Sequence, residues 1–293
     1  MTMNHPIHTV STLPNKSGAE TSIGCLLQEL GKLTQADAEK VLRLQKEEGM
    51  RFGDAAKRLG LITEADIRMV LARQFSYPYL IPGEANFPLE LVAAYQPFSE
   101  EVEILRAVRS QLMLRWFESG RKALAIVSIN PGDGASLLAA NLAVVFSQLG
   151  EKTLLIDANL RNPRQHEIFK LKGRQGLSDI LADRAGIETF SKVEPFSDLF
   201  VLPAGTRPPN PQELFNRPSF AALRASLATR FDVILFDLPP FSMGADALAI
   251  AARVGGVLLV ANKNITHLAD ISTISAQLGR ADVEVVGSVL IDG

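Results

Sequence analysis

One cysteine, Cys25, and four histidines occur in 293 residues. A single thiol excludes an intrachain disulfide framework, and with so few ligands no zinc constellation of recognisable spacing can be assembled. An excess of charge is also missing. Thirty basic against 32 acidic residues give a net charge of −2, so no global field recruits nucleic acid or anionic lipid. Long apolar runs are absent too: none approaches the roughly 18 residues that a membrane-spanning helix needs. Residues 1–19 have no basic head followed by an apolar block and read as a disordered polar leader rather than a signal peptide. Together these absences point to a reducing, cytoplasmic setting in which partners are recognised locally.

Between 20 and 80 the chain repeats itself. "IGCLLQELGKLTQADAEKVLRLQ" and "FGDAAKRLGLITEADIRMVLARQ" align at an offset of 29, pairing Gly24 with Gly53, Gly31 with Gly60, Thr34 with Thr63, Asp37 with Asp66, Leu42 with Leu71 and Gln45 with Gln74. Each copy reads as a short apolar helix, a glycine stop and a Thr-x-x-Asp cap that starts the next helix. The span 20–80 is therefore expected to be a small, duplicated, all-helical module. The Pro/Gly-rich stretch that follows is read as a linker over 81–97.

From 98 to 293 short continuous apolar runs alternate with helical stretches such as 136–149, 221–229 and 268–280. The runs are "ALAIVSI", "TLLIDAN", "LFVLPAG", "FDVILFD", "GVLLVAN" and "VEVVGSVLI". This is the pattern of an α/β domain with a doubly wound, mostly parallel sheet. Such sheets bind ligands at the carboxyl ends of their strands.

The loop after the first run is "SINPGDGAS". Gly132 and Gly134 allow a tight turn that aims backbone N–H groups at phosphates, and the helix that opens near Ser136 adds its positive end. The candidate nucleotide-binding stretch is thus Gly132, Asp133, Gly134, Ala135, Ser136 and Leu137. The Ser136 hydroxyl, Asp157 at the end of "LLID" and Asp237 at the end of "ILFD" form a candidate Mg²⁺ set. Asp157 is also the candidate base and Arg161 the candidate charge clamp. An ordinary strand-to-helix turn flanked by solvated aspartates is the competing reading.

From "PFSEEVEILRAVRSQL" to "GSVLID" the sequence resembles the bacterial tyrosine kinases that accompany polysaccharide chain-length determinants, P-loop proteins related to the MinD and ParA ATPases. "PGDGAS", "LLIDANLRNP", "LPAGTRPPNPQELF" and "FDVILFDLPP" carry the resemblance. With the helical repeat in front, the whole resembles the EpsG type of that family. The resemblance implies a cytoplasmic autokinase that uses ATP and Mg²⁺, lies peripheral to the inner membrane and works beside a membrane-spanning polysaccharide co-polymerase. It implies a homo-oligomer as well, because relatives use the Glu-x-x-Arg-x-x-Arg pattern of Glu103, Arg106 and Arg109 between subunits. A solvated helix face with internal Glu–Arg pairing is the alternative.

Three departures from the family pattern bear on chemistry. Ala135 stands where the phosphate loop has its lysine, Asn159 where the second strand motif has another aspartate, and Ile291 where many relatives have an asparagine that holds adenine. Impaired catalysis is the expectation, with a non-catalytic P-loop adaptor as the alternative and a MinD/ParA-like positioning ATPase as a third reading. A C-terminal tyrosine cluster is missing, since the three tyrosines stand at 77, 79 and 95. The helical module resembles the N-terminal domain of type II secretion ATPases, a fold in which some members bind cyclic di-GMP. Arg51 in "RFG" fits that pattern, whereas the first copy has Ser22. His166 is expected to pack or cap.

Overall fold

The computed structural model describes residues 23–74, 77–80, 83 and 85–292. It divides into two units, Met1–Tyr77 and Pro78–Gly293. The expected leader and Ser22 lie outside the described residues.

In the first unit four helices form two hairpins: α1 (Ile23–Glu29) with α2 (Gln35–Glu48), and α3 (Phe52–Arg58) with α4 (Glu64–Gln74). Gly31 and Gly60 end the first helix of each copy at φ +66° and +67°, in the left-handed region where glycine is the unstrained choice. The second helix of each copy opens on its Thr-x-x-Asp pair. Thr34 Oγ1 accepts the Asp37 N–H at 3.2 Å, and Thr63 Oγ1 accepts that of Asp66 at 3.2 Å. In the second copy the exchange is reciprocal, with the Thr63 N–H donating to Asp66 Oδ2 at 2.9 Å. The buried core is the repeat written in side chains. Leu26, Leu27, Leu33 and Val41 pack with Ala55, Ala56, Ile62 and Val70, the same four positions of the two copies. Each hairpin thus supplies half of one apolar interior.

The second unit is a seven-stranded sheet with helices on both faces. Its order is β3-β4-β2-β5-β1-β6-β7 for β1 (Ala123–Ser128), β2 (Thr153–Asp157), β3 (Ser191–Lys192), β4 (Leu199–Leu202), β5 (Val233–Asp237), β6 (Gly256–Asn262) and β7 (Glu284–Ile291). Every pairing is parallel except β3 with β4. Alternation along the strands divides the core. Leu124 and Ile126 of β1 face one cluster, with Leu155, Val233 and Leu235; Ala125 and Val127 face the other, with Ile156, Ile234 and Phe236. The first cluster is closed by α5 (Val92–Tyr95), α6 (Glu100–Arg115), α7 (Ala135–Ser147) and α8 (Gln165–Ile168). Five helices close the second: α9 (Leu177–Leu181), α10 (Pro211–Phe215), α11 (Pro218–Ala228), α12 (Asp246–Val254) and α13 (Leu268–Arg280).

Two expectations change. Strand β3 was not foreseen, because two residues are too few to carry a periodic signal. The described part of the expected linker is packed rather than free. Leu91, Ala93, Ala94 and Tyr95 are buried in the first cluster, the Ala93 N–H donates to Asn141 Oδ1 at 2.9 Å, and Gln148 Nε2 donates to the carbonyls of Pro78 and Ala93 at 2.9 and 3.0 Å. The described apolar residues of this stretch cover α7.

Candidate functional site

Strand order reverses beside β1, which puts the carboxyl ends of β2, β5 and β1 side by side. Asp157 and Asp237 are register partners on adjacent strands, and the phosphate-type loop follows β1 directly. Sequence positions 80 residues apart thereby meet in one place.

Gly132 and Gly134 hold φ of +89° and +83°. Helix α7 begins at Ala135 with Gly134 as its cap and no side chain on its first-turn N–H groups, so the positive end of the helix faces the cleft. A cleft of about 270 Å³ lies there. Gly132, Gly134, Ala135, Ser136 and Leu137 form one wall; Asn159, Arg161, Asn162 and Arg164 form another. Ser128, Pro131, Leu238, Pro239, Pro240 and Met243 complete the lining.

Asp133 is the member of the loop that does not line the cleft. It is buried, its Oδ2 accepts the Asn130 N–H at 2.8 Å, and Thr266 Oγ1 lies 3.5 Å away. Its carboxylate thus bonds within the loop, and the expected contribution of residue 133 to a nucleotide site is through its backbone N–H. Ile291 also acts from outside: a β-carbon at Gly134 would come within 3.0 Å of Ile291 Cδ1, so an apolar methyl closes the space beside the loop.

Both strand-end aspartates are fully buried. Asp157 Oδ2 accepts the N–H groups of Arg164 and Gln165, each at 2.9 Å, and its Oδ1 accepts that of Asn159 at 3.2 Å. Its first occupation is therefore to clamp the loop after β2, which narrows the expected role in proton or metal chemistry. Asp237 Oδ2 accepts from Gln165 Nε2 at 2.7 Å. Asp237 Oδ1 is buried with no partner, as is Gln165 Oε1. Burial pushes both carboxyls above their ordinary range. For Asp157 the Asp237 charge adds to this against the three backbone bonds; for Asp237 the side chains of Gln165 and Ser136 and the Arg164 charge oppose it.

Arg161, the expected charge clamp, lines the cleft and is paired with a carboxylate. Its Nε and Nη2 donate to Asp246 Oδ2 and Oδ1 at 2.6 and 3.3 Å, pinning it to the start of α12. The Glu103, Arg106 and Arg109 face also has inward uses: Arg106 pairs with Glu103 on α6, and Arg109 Nη1 donates to the Val145 carbonyl at 2.8 Å. Gln165, Asp246 and Thr266 escaped the sequence reading. Their partners lie 29 to 133 residues away, and no local spacing signals such pairings.

The site residues fit Mg·nucleotide by one test. A buried carboxylate oxygen without a partner costs stability unless a cation or water completes it, and Asp237 Oδ1 is such an oxygen, at the end of the strand next to β1 and its loop of N–H groups suited to anions, although neither Asp157 nor Asp237 lines the cleft itself. Among the described residues no group of three or more His, Cys, Asp or Glu side chains gathers for a metal. A Mg²⁺ held by two protein oxygens, water and phosphate needs none. Nor, among those residues, is any helix long and apolar enough to cross a membrane.

Comparison with known proteins agrees with this geometry. The family model for the cellulose biosynthesis protein BcsQ matches residues 121–276. The Staphylococcus aureus protein named "Putative tyrosine-protein kinase CapB" is 35% identical over 195 residues, 67% of this chain and 86% of that one. Several longer curated tyrosine kinases are matched over only 26% to 28% of their length. Among solved structures, the kinase domain of the Escherichia coli tyrosine kinase ETK superposes with a TM-score of 0.66 at 29% identity, covering 69% of this chain and 79% of that one. The Pyrococcus furiosus cell division ATPase MinD superposes with a TM-score of 0.51 at 27% identity over 58% and 71% of the two chains.

Proposed function

The chain belongs to the family of bacterial tyrosine-protein kinases, and on that premise we propose that its P-loop unit binds Mg·ATP but transfers phosphate poorly, as part of an exopolysaccharide assembly machinery. One observation carries this reading: Asp237 Oδ1 is buried without a partner at the end of the strand beside β1, while Ala135 leaves the loop after β1 without its cation. Backbone N–H groups of the loop and of the first turn of α7 would hold the phosphates. Ser136 and Asp237 would hold Mg²⁺, with Asp157 keeping the opposite wall in place. Bound Mg·ATP supplies the γ-phosphoryl group and neutralises part of its charge. A lysine at 135 would stabilise the charge that develops during transfer, and electrostatic contacts of that kind are worth about 3 kcal/mol.

In this reading the protein is peripheral to the inner membrane through a membrane-spanning co-polymerase that regulates chain length, and it forms a homo-oligomer through the face of Glu103, Arg106 and Arg109. A pseudokinase adaptor of the same machinery is the second reading. It is favoured by the Gln165 amide, which ties Asp237 to the Ser136 carbonyl without nucleotide. Cyclic di-GMP at the helical module rests on Arg51 alone and is a minor part of the proposal.

Purified protein mixed with labelled Mg·ATP, read for binding and for transfer, tests this. Measurable affinity with slow transfer is the expected result. Ala135→Lys should tighten binding about tenfold or more and raise hydrolysis from background. If neither protein binds nucleotide while circular dichroism shows both folded, the reading fails.

A further inference from the structure

We propose that Arg164 supplies, from the wall opposite the phosphate loop, the phosphate-facing positive charge that the loop lacks at Ala135. This deepens the Mg·nucleotide reading and rests on it.

Residues 128–137 contain no lysine or arginine. Among the described residues the cations that line the cleft are Arg161 and Arg164. Arg161 has spent its fork on Asp246, at 2.6 and 3.3 Å. Arg164 has no comparable commitment. Its Nε lies 3.5 Å from Glu167, in a pair whose side chains are 57% and 61% exposed, and such a pair holds its members only weakly.

The base of the side chain is fixed. Asp157 Oδ2 holds the Arg164 N–H at 2.9 Å, and the next residue, Gln165, is anchored to the Ser136 carbonyl and to Asp237. The guanidinium therefore swings from a point tied to both sides of the site. A planar fork that can bond two phosphate oxygens is well suited to act from across a cleft, whereas a lysine ammonium acts as a compact point charge.

The test measures binding of the full chain to a fluorescent ATP analogue with Mg²⁺, with ATP and adenosine as competitors, and the melting temperature without nucleotide. Arg164→Gln should weaken ATP roughly 10- to 100-fold, flatten the salt dependence of its affinity, and leave adenosine affinity and the melting temperature unchanged. Arg164→Lys should keep part of the affinity, and Ala135→Lys combined with Arg164→Gln should restore it. Unchanged ATP affinity in Arg164→Gln overturns the role of Arg164 and leaves the nucleotide reading intact. Equal losses for ATP and adenosine, or a lowered melting temperature, make Arg164 a structural residue and overturn it as well. No nucleotide binding by the wild-type chain overturns both.

Discussion

In the helical repeat Asp66 has every demand of its burial met. Two bonds tie it to Thr63 and Lys32 lies 2.9 Å away, so although burial pushes its carboxyl up, these partners hold it at about 2. At the end of β5 Asp237, more deeply buried, leaves Oδ1 without a partner, and its carboxyl is pushed up instead. The same residue type serves opposite ends. A satisfied acid spends its charge on the fold, while an unsatisfied one is maintained against the fold's interest and is kept for something that arrives later.

The sharpest way to break that contrast is Asp237→Asn. Losing the buried charge while keeping its shape should raise the melting temperature of the ligand-free protein. It should also weaken Mg-dependent nucleotide binding by about 3 kcal/mol. Calorimetry with and without Mg·ATP measures both. A variant that melts earlier and binds as before would make Asp237 a structural acid like Asp66.

Asp66→Asn should act the other way and cost about 1–2 kcal/mol in the helical unit alone, by loss of the capping carboxylate and its Lys32 pair. Because the folded value of about 2 lies below the unfolded value of about 3.9, the Asp66 contribution is complete above the unfolded value. It is lost as pH falls through the folded one. Denaturant midpoints of the wild type from pH 6 to pH 2 should show this fall, and those of Asp66→Asn should show less of it.

The smallest effects belong to α6. Arg109→Ala should cost about 1 kcal/mol, since its bond to the Val145 carbonyl joins α6 to α7. Glu103→Ala should leave the monomer unchanged, because its ion pair is solvent-exposed. Light scattering of both variants over a concentration series shows whether the same face also serves assembly.

The repeat was legible because its determinants are local: Thr63 caps a residue three positions away, and Gly60 stops the helix it ends. In the sheet, apolar runs and terminal aspartates announced strands and their ends. The pairing of Arg161 with Asp246 was not legible, because it is made across 85 residues by the path of the chain. The orientation of the Asp133 side chain was not legible for a related reason. Its place in the loop is local, but the direction of its carboxylate depends on backbone geometry at Asn130 and on Thr266, 133 residues on. The stretch 81–97 misled because proline and glycine outweighed Leu91 and Tyr95, which are the residues that pack.

Asp157 carries a consequence for genetics. Asn159, Arg161 and Arg164 belong to a loop whose N–H groups at 159, 164 and 165 depend on one carboxylate. An allele that removes this acid slackens the whole wall at once. Its phenotype would be loss of the site, whether or not the residue ever handles a proton. Even asparagine, which offers an amide to N–H groups that need an acceptor, reproduces the defect. Inactivity scored at this codon therefore reports the loss of a shape, and alleles at Asp237, where one oxygen is uncommitted, are the ones that can speak for the chemistry.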